Sequence, residues 1–342
     1  MSVGDTAVDW LESLSPWPAD GFGTERMRVL LERLGNPQRA FEAVHVVGTK
    51  GKSTAARRIA RTIGGPAYTS PHVEGWHERL DTDPDGFERA VARIRAGAES
   101  VGATQFEAVT AAAFADFAAR GATAAAIEAG LGGRHDATNT IGARVVLLTN
   151  VGLEHTDVLG ATREEIAAEK LAVAGPGSTV VLPDDEFAHL APGETRIGGA
   201  AEAVEALLGE RRPLAEAALP GRLELRAAEV RDGAHTPEAV EWLLERLPGP
   251  HDYVVVASIL RDKDLDGILE RLARAGRTLV ATASSNPRAL PAGAVADAAR
   301  DRFDAVHARP EPRDALRRAH ELGPRVLVTG SLYLLADLAR DE

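Results

Sequence analysis

A chain of 342 residues, 44% hydrophobic and 26% charged, is long enough for about two domains, each able to bury a core without disulfides or structural metals. Its net charge of -12 weighs against nucleic acid as a partner, and the lack of cysteine excludes thiol nucleophiles, disulfides and thiolate zinc sites. No apolar run reaches the roughly 18–20 residues of a membrane span, and Met1 to Trp10 lacks the basic start and apolar core of a secretory leader, so a cytoplasmic protein with no membrane partner is expected.

In chain order, residues 9–40 read as helix in two pieces, broken by Pro16 and Pro18 and ended by Gly35-Asn36-Pro37. Ala43 to Val47 reads as a short buried strand, then a glycine-rich turn, then a helix from Ser53 to Ile63. Phe106, Val109, Ala113 and Phe117 recur at helical spacing within 104–120. The Ala-rich 123–129 is ambiguous by period, and its place after that helix favours a strand. Further strands are expected at 145–149 and 179–182. Residues 191–220 read as a connecting region with one short helix. Beyond it, strands are expected at 223–230, 252–258, 277–283 and 325–329, and helices at 237–247, 264–275, 312–321 and 331–340. The alternation predicts an α/β chain: a mostly parallel, phosphate-loop sheet with flanking helices over 1–219, and a smaller Rossmann-like α/β domain over 220–342.

The most specific local signal is Gly48-Thr49-Lys50-Gly51-Lys52-Ser53-Thr54, set between a strand and a helix. Glycines let the backbone curl so that its N–H groups face phosphate oxygens, and the helix N-terminus adds partial positive charge. Lys52 can reach the β- and γ-phosphates and the Ser53 hydroxyl can coordinate Mg²⁺. Val46 stands where a general phosphate loop has its first glycine, so this is the shorter G-T-x-G-K-S form.

Other segments accompany that loop. Leu34-Gly35-Asn36-Pro37-Gln38 precedes it, and Tyr68-Thr69-Ser70-Pro71-His72 and Glu78-Arg79-Leu80 follow. Then come the string Glu128 to Asn139, Gly152-Leu153-Glu154-His155-Thr156 and Glu169-Lys170. Gly221-Arg222, Asp232-Gly233-Ala234-His235, Asp262-Lys263-Asp264, Asn286-Pro287-Arg288-Ala289 and Thr329 to Tyr333 complete the set. In this order, over nearly the whole chain, these segments resemble the folylpolyglutamate synthase/dihydrofolate synthase branch of the Mur ligase superfamily.

The resemblance implies an ATP-dependent amide ligase. A substrate carboxylate takes the γ-phosphoryl group of ATP, and the amine of L-glutamate then displaces phosphate from the acyl phosphate. The acceptor would be dihydropteroate or a reduced folate, the protein a monomer, and closure of the domains would assemble the site. Ser53, Glu128 and His155 match the family's magnesium ligands, and Lys170 the lysine it carbamylates to hold a second Mg²⁺. Asp232 matches a residue at the ribose of ATP, Arg222 one at its phosphates, and His235 and Ser331 residues near the incoming glutamate. Thr69, Ser70, Pro71 and His72 resemble the loop beside the pterin substrate.

Each residue also has a plainer reading. Glu128 could be a salt-bridged strand-end carboxylate, His155 a loop histidine bonded to backbone, and Lys170 an exposed helix lysine paired with Glu165 or Glu169. The second-domain residues could be helix caps or surface ion pairs. The chain also departs from the family. It lacks one loop glycine, has His77 and Thr236 where asparagines are usual, and has a shortened segment between the domains. There Gly198-Gly199-Ala200 to Leu208 replaces a His-Gln pair and an asparagine that help to hold adenine. A Mur-type ligase for another substrate, a regulatory NTPase and a nucleotide-binding paralogue without ligase activity are the alternatives.

Overall fold

The computed structural model describes residues 6–18 and 21–340. Met1 to Asp5, the first half of the segment tested for a leader, lie outside them. Among the described residues no helix is long and apolar enough to cross a membrane. The chain forms two compact units, one running to Pro71 and over Trp76–Ala217, the other made of His72–Gly75 and the chain from Ala218. The sequence-based division at 219/220 kept residues 72–75 with the first domain, whereas here they group with the second unit.

In the first unit, α1 (Ala7–Ser13) and α2 (Glu25–Arg33) are the two early helical pieces. Asn36, at φ +56°, and a 3-10 turn over Pro37–Ala40 lead into β1 (Glu42–Val47). Then come α3 (Lys52–Ile63), β2 (Ala67–Tyr68), α4 (Pro84–Val101), α5 (Gln105–Ala119) and β3 (Ala124–Glu128). β4 (Val145–Leu148), α6 (Thr156–Leu159), α7 (Arg163–Leu171), β5 (Thr179–Leu182), β6 (Glu194–Ile197) and α8 (Ala200–Leu208) complete the unit. The six strands pair in parallel in the order β2-β3-β1-β4-β5-β6.

Both faces of this sheet are covered, which is what a parallel sheet requires. Phe114 and Phe117 of α5 pack with Ile94 of α4 on one face, and Phe41 meets the two rings edge-on at 6.3 and 5.9 Å. On the other face Ile59 of α3 packs with Val204 and Leu207 of α8. Such side chains contribute about 1.5–3 kcal/mol each when fully buried. β3 is a run of alanines and one isoleucine, buried from Ala125 to Glu128. Small side chains there let the α3 and α5 layers approach the sheet.

The second unit contains β7 (Glu224–Leu225), β8 (Glu229–Arg231), α9 (Pro237–Leu244), β9 (Val254–Ala257), α10 (Leu265–Leu272) and β10 (Thr278–Ala281). α11 (Ala292–Ala299), β11 (Ala305–Ala308), α12 (Pro312–Leu322), β12 (Val326–Thr329) and α13 (Leu332–Ala339) follow. The order is β11-β10-β9-β12-β8-β7, parallel except for β7.

Several elements differ from the sequence reading. The strand expected over 223–230 is two antiparallel pieces, turned where Arg226 N–H donates to the Glu229 carbonyl at 2.8 Å. β6 and β11 were not expected because they are sheet edges. β6 is mostly exposed and β11 only half-buried, so neither shows an apolar alternation. The 18-residue α4 was also missed, although Asp83 followed by Pro84 is an N-terminal signal and the Asp83 side chain does cap it.

Candidate active site

β1 and β4 are neighbours, yet the chain leaving β1 runs towards β2 and the chain leaving β4 towards β5. The two loops diverge and open a crevice at the carboxyl ends of the strands, where open α/β sheets bind ligands. Gly48 to Gly51 occupies one lip and residues 149–155 the other. Gly48 sits at φ +143°, and a Cβ there would lie 2.0 Å from Thr149 Oγ1. Gly51, at φ +79°, turns the loop into α3.

The lips are laced together. Lys50 N–H donates to Asn150 Oδ1 and Asn150 Nδ2 donates to the Lys50 carbonyl, both at 2.9 Å. Thr149 Oγ1 donates to the Lys50 carbonyl at 2.7 Å, and Gly152 N–H donates to Thr49 Oγ1 at 2.9 Å. Thr149 and Asn150 were missed by sequence reasoning, because their role comes from the adjacency of β4 to β1 and not from any local pattern. Lys52, in the first turn of α3, donates to the Thr49 carbonyl at 3.3 Å. Thr54 is exposed in the same turn.

Ser53 and Glu128, both expected as magnesium ligands, lie next to each other. The Ser53 hydroxyl donates to Glu128 Oε1 at 2.9 Å, and Ser70 N–H donates to Glu128 Oε2 at 2.9 Å. All three lie at or beyond the carboxyl ends of parallel strands: Ser53 after β1, Glu128 at the end of β3 and Ser70 after β2. Arg79 carries its guanidinium 4.5 Å above the Trp76 ring, and burial lowers its pKa while Tyr68 and Glu128 oppose that shift. Burial raises the Tyr68 phenol, which bonds Thr110 Oγ1 at 2.9 Å. Thr69 is buried and Pro71 exposed, whereas His72 belongs to the second unit.

Lys170 is only 5% exposed, and its Nζ donates to the Gly48 carbonyl at 3.0 Å. Burial, and after it the charge of Lys52, lowers its pKa to about 8. The exposed-helix alternative is therefore wrong. Glu165 closes the capping box with Thr162, and Glu169 receives Arg134 Nε at 3.2 Å. The glycine string fixes this end of α7. A Cβ on Gly133 would lie 2.6 Å from the Lys170 carbonyl oxygen, and Arg134 N–H donates to the Glu169 carbonyl at 3.1 Å.

Asp136 ties the string by accepting from Leu131 N–H at 2.8 Å and Thr138 N–H at 3.0 Å, and burial raises its pKa. His45, fully buried in β1, joins through Thr138 Oγ1 at 2.8 Å, and burial lowers its pKa to about 3.

His155 enters α6 at φ +52°, and its carbonyl accepts from Val158 and Leu159. Its ring is exposed and shows no bond to Ser53, Glu128 or Lys170. Among the described residues no three of His, Cys, Asp and Glu gather as a metal cage. Ser53 and Glu128 are instead two converging oxygen donors, which fits Mg²⁺, an ion that keeps waters and substrate phosphates as its other ligands.

In the second unit the matched residues gather at the carboxyl ends of β8 and β12. Asp232 accepts from Leu223 N–H at 2.7 Å and Ala234 N–H at 2.8 Å, and burial raises its pKa. Gly330 N–H donates to the Ala234 carbonyl at 2.9 Å, joining the two strand-end loops. His235 Nδ1–H donates to the Gly233 carbonyl at 2.7 Å. Arg222 is half-buried, and its Nη1 donates to the Gly221 carbonyl at 3.3 Å. Ser331 accepts from Tyr333 N–H at 3.1 Å and caps α13.

A phosphate loop at a sheet crevice, with a hydroxyl and a carboxylate converging beside it, defines a nucleotide-dependent α/β enzyme, and residues 221–332 match the family model "Mur ligase, glutamate ligase domain". The dihydrofolate synthase/folylpolyglutamate synthase of Mycobacterium tuberculosis is 31% identical over 399 residues, which cover 87% of this chain and 82% of the relative. The chain belongs to the dihydrofolate synthase/folylpolyglutamate synthase family. An alignment longer than the 342-residue chain means that the relative carries segments this chain lacks. Among solved structures, the M. tuberculosis folylpolyglutamate synthase complexed with ADP superposes with a TM-score of 0.86 at 27% identity, covering 97% of this chain and 96% of that one. The Yersinia pestis bifunctional enzyme with Mn, AMPPNP and L-glutamate bound gives 0.81 at 25% identity, covering 98% and 97%.

Proposed function

We propose that the chain is an ATP-dependent ligase that joins L-glutamate to the carboxylate of dihydropteroate or a reduced folate through an acyl phosphate. The observation that carries this reading is the Ser53 hydroxyl on Glu128 at 2.9 Å, beside a loop whose Gly48 carbonyl receives Lys170 at 3.0 Å. Family membership supplies the reaction, and similar structures with ADP, or with AMPPNP, Mn and L-glutamate, support the ligand classes.

The backbone of Gly48, Thr49, Lys50 and Gly51, with Thr54 in the next turn, cradles the phosphates, and Lys52 neutralises charge on the transferring phosphoryl group. Ser53 and Glu128, with His155, would hold Mg²⁺, which would supply Lewis-acid stabilisation of that group when bound. Thr69, Ser70, Pro71 and His72 flank the acceptor. Arg222 and Asp232 serve the nucleotide, and His235 and Ser331 the incoming glutamate. Lys170 is carbamylated: its buried amine, with a pKa near 8, supplies the neutral nitrogen that adds to CO₂ with loss of a proton, and the resulting carbamate would offer oxygens to a second Mg²⁺.

ADP release measured with and without dihydropteroate or a reduced folate, and with and without L-glutamate, tests the reading. The ligase requires both for turnover. Release without either acceptor or amine identifies an NTPase, and no release under any condition identifies a binding paralogue.

A further inference from the structure

The first unit carries a second polar groove. It has a volume of about 740 Å³ and is walled by α2, the turn before β1 and the segment before β4. Those segments lie at the amino ends of β1 and β4, whereas the phosphate loop lies at the carboxyl end. Six residues of β1 at about 3.3 Å each separate the two by roughly 20 Å. The groove therefore lies apart from the site described above.

Its chemistry is specific. Arg28 and Arg39 both line it and both are exposed, and neither makes a hydrogen bond or ion pair through its side chain among the described residues. That is unusual in a chain whose acidic groups outnumber its basic ones, 51 to 39, and whose arginines mostly have carboxylate or carbonyl partners. Glu32 lines the same groove. Gln38, 7% exposed, donates through Nε2 to Asn36 Oδ1 at 3.2 Å, while its buried Oε1 has no partner. Turning the amide over changes which group is left unpaired without removing the deficit. Asn139, Thr140 and Asn36 add further amide and hydroxyl groups to the wall.

Two unpaired guanidiniums call for two carboxylates, since each can take one in bidentate fashion. A carboxylate and an amide oxygen call for N–H donors on the same ligand. We propose that this groove binds a γ-linked glutamyl chain, its α-carboxylates on Arg28 and Arg39 and its amine or amide N–H groups towards Glu32 and Gln38. The volume exceeds that of one free amino acid and suits a chain of two or more residues. Naming the chain as glutamyl rests on the function proposed above; the anion site itself does not. A site of this kind lets an extended product act on the enzyme without entering the phosphate crevice.

The test is calorimetric titration of γ-glutamyl-glutamate into the nucleotide-free full chain, wild type and K52A. The latter keeps a failure of the phosphate-loop reading separate. One equivalent should bind both proteins alike. R28A and R39A should each weaken binding about ten- to a hundredfold, as expected for losing one charge-assisted contact. R61A, an exposed arginine elsewhere on the unit, should leave it unchanged. Binding unaffected by either groove substitution, or lost in K52A, overturns the proposal. Inorganic phosphate binding as tightly as the dipeptide also overturns it, leaving an adventitious anion only.

Discussion

Gly133→Ala isolates the link between the glycine string and the buried lysine. Its Cβ would fall 2.6 Å from the Lys170 oxygen, 2.7 Å from the Glu169 oxygen and 3.0 Å from Lys170 Cα. All three are backbone atoms, so no side-chain rotation relieves the clash. An ordinary carbon–oxygen contact needs about 3.3 Å, so the end of α7 must retreat by roughly 0.7 Å. That retreat would stretch the 3.0 Å bond from Lys170 Nζ to Gly48 beyond hydrogen-bonding range.

Overpacking of this kind costs about 1–3 kcal/mol, which in a chain of this size lowers Tm by several degrees at most. Activity should fall further than stability. Displacing a positioned group by about 1 Å can reduce turnover on the order of 10²-fold. The assay is ligase turnover at 25 °C, far below the melting transition followed by calorimetry. Gly177→Ala serves as the control, because a Cβ at Gly177 meets nothing within 4 Å. Wild-type turnover and Tm in Gly133→Ala would refute the claim that this string positions Lys170.

Lys52→Ala should lower turnover by roughly 10²–10³ and change Tm little, because the lysine stabilises reacting charge and not the core; near-normal ligation by the folded variant would remove Lys52 from the site. Lys170→Ala should abolish most activity, and added short carboxylic acids should partly restore it by filling the metal position that the carbamate vacates; full activity without such acids would exclude the carbamate. His45 gives a pH prediction. Its folded pKa, about 3, lies below the ordinary 6.5, so between those values the unfolded chain binds a proton that the native one does not. Its contribution to stability is complete above pH 6.5 and is lost as pH falls, by about 1.4 kcal/mol per pH unit. Denaturant unfolding from pH 7 to 4.5 should show a shallower acid slope for His45→Gln than for wild type, and equal slopes would contradict a neutral buried imidazole.

The phosphate loop was legible in the sequence because its physics is local. A strand, glycines that turn the backbone, and a lysine and a serine opening a helix all lie within twelve residues. The meeting of Ser53 with Glu128 is not local; it depends on β1 and β3 being neighbours, and only the long string at 128–139 carried it. Asn150 shows the opposite limit. Nothing in its own surroundings marks it, and its role appears only when the order β1-β4 puts it opposite Lys50. The edge strands β6 and β11 were missed for a different reason, since exposure removes the apolar pattern that betrays a strand.

Lys170 joins these lines of reasoning. From sequence it had two acidic neighbours on its own helix, Glu165 and Glu169, and solvent as its natural surroundings. Folding engages both carboxylates elsewhere, one in a helix cap and one on Arg134, and takes the amine inside. There it faces a second cation, Lys52, across a loop built to receive phosphate. Two positive charges at a buried loop repel each other unless an anion lies between them or one of them gives up its proton. Triphosphate supplies the first remedy. Deprotonation supplies the second, and it leaves the nucleophilic amine that the proposed carbamylation would consume. The same burial that would be a liability for a structural lysine is what the proposed modification requires, with Gly48 and Gly133 providing the close backbone approaches that make the burial possible.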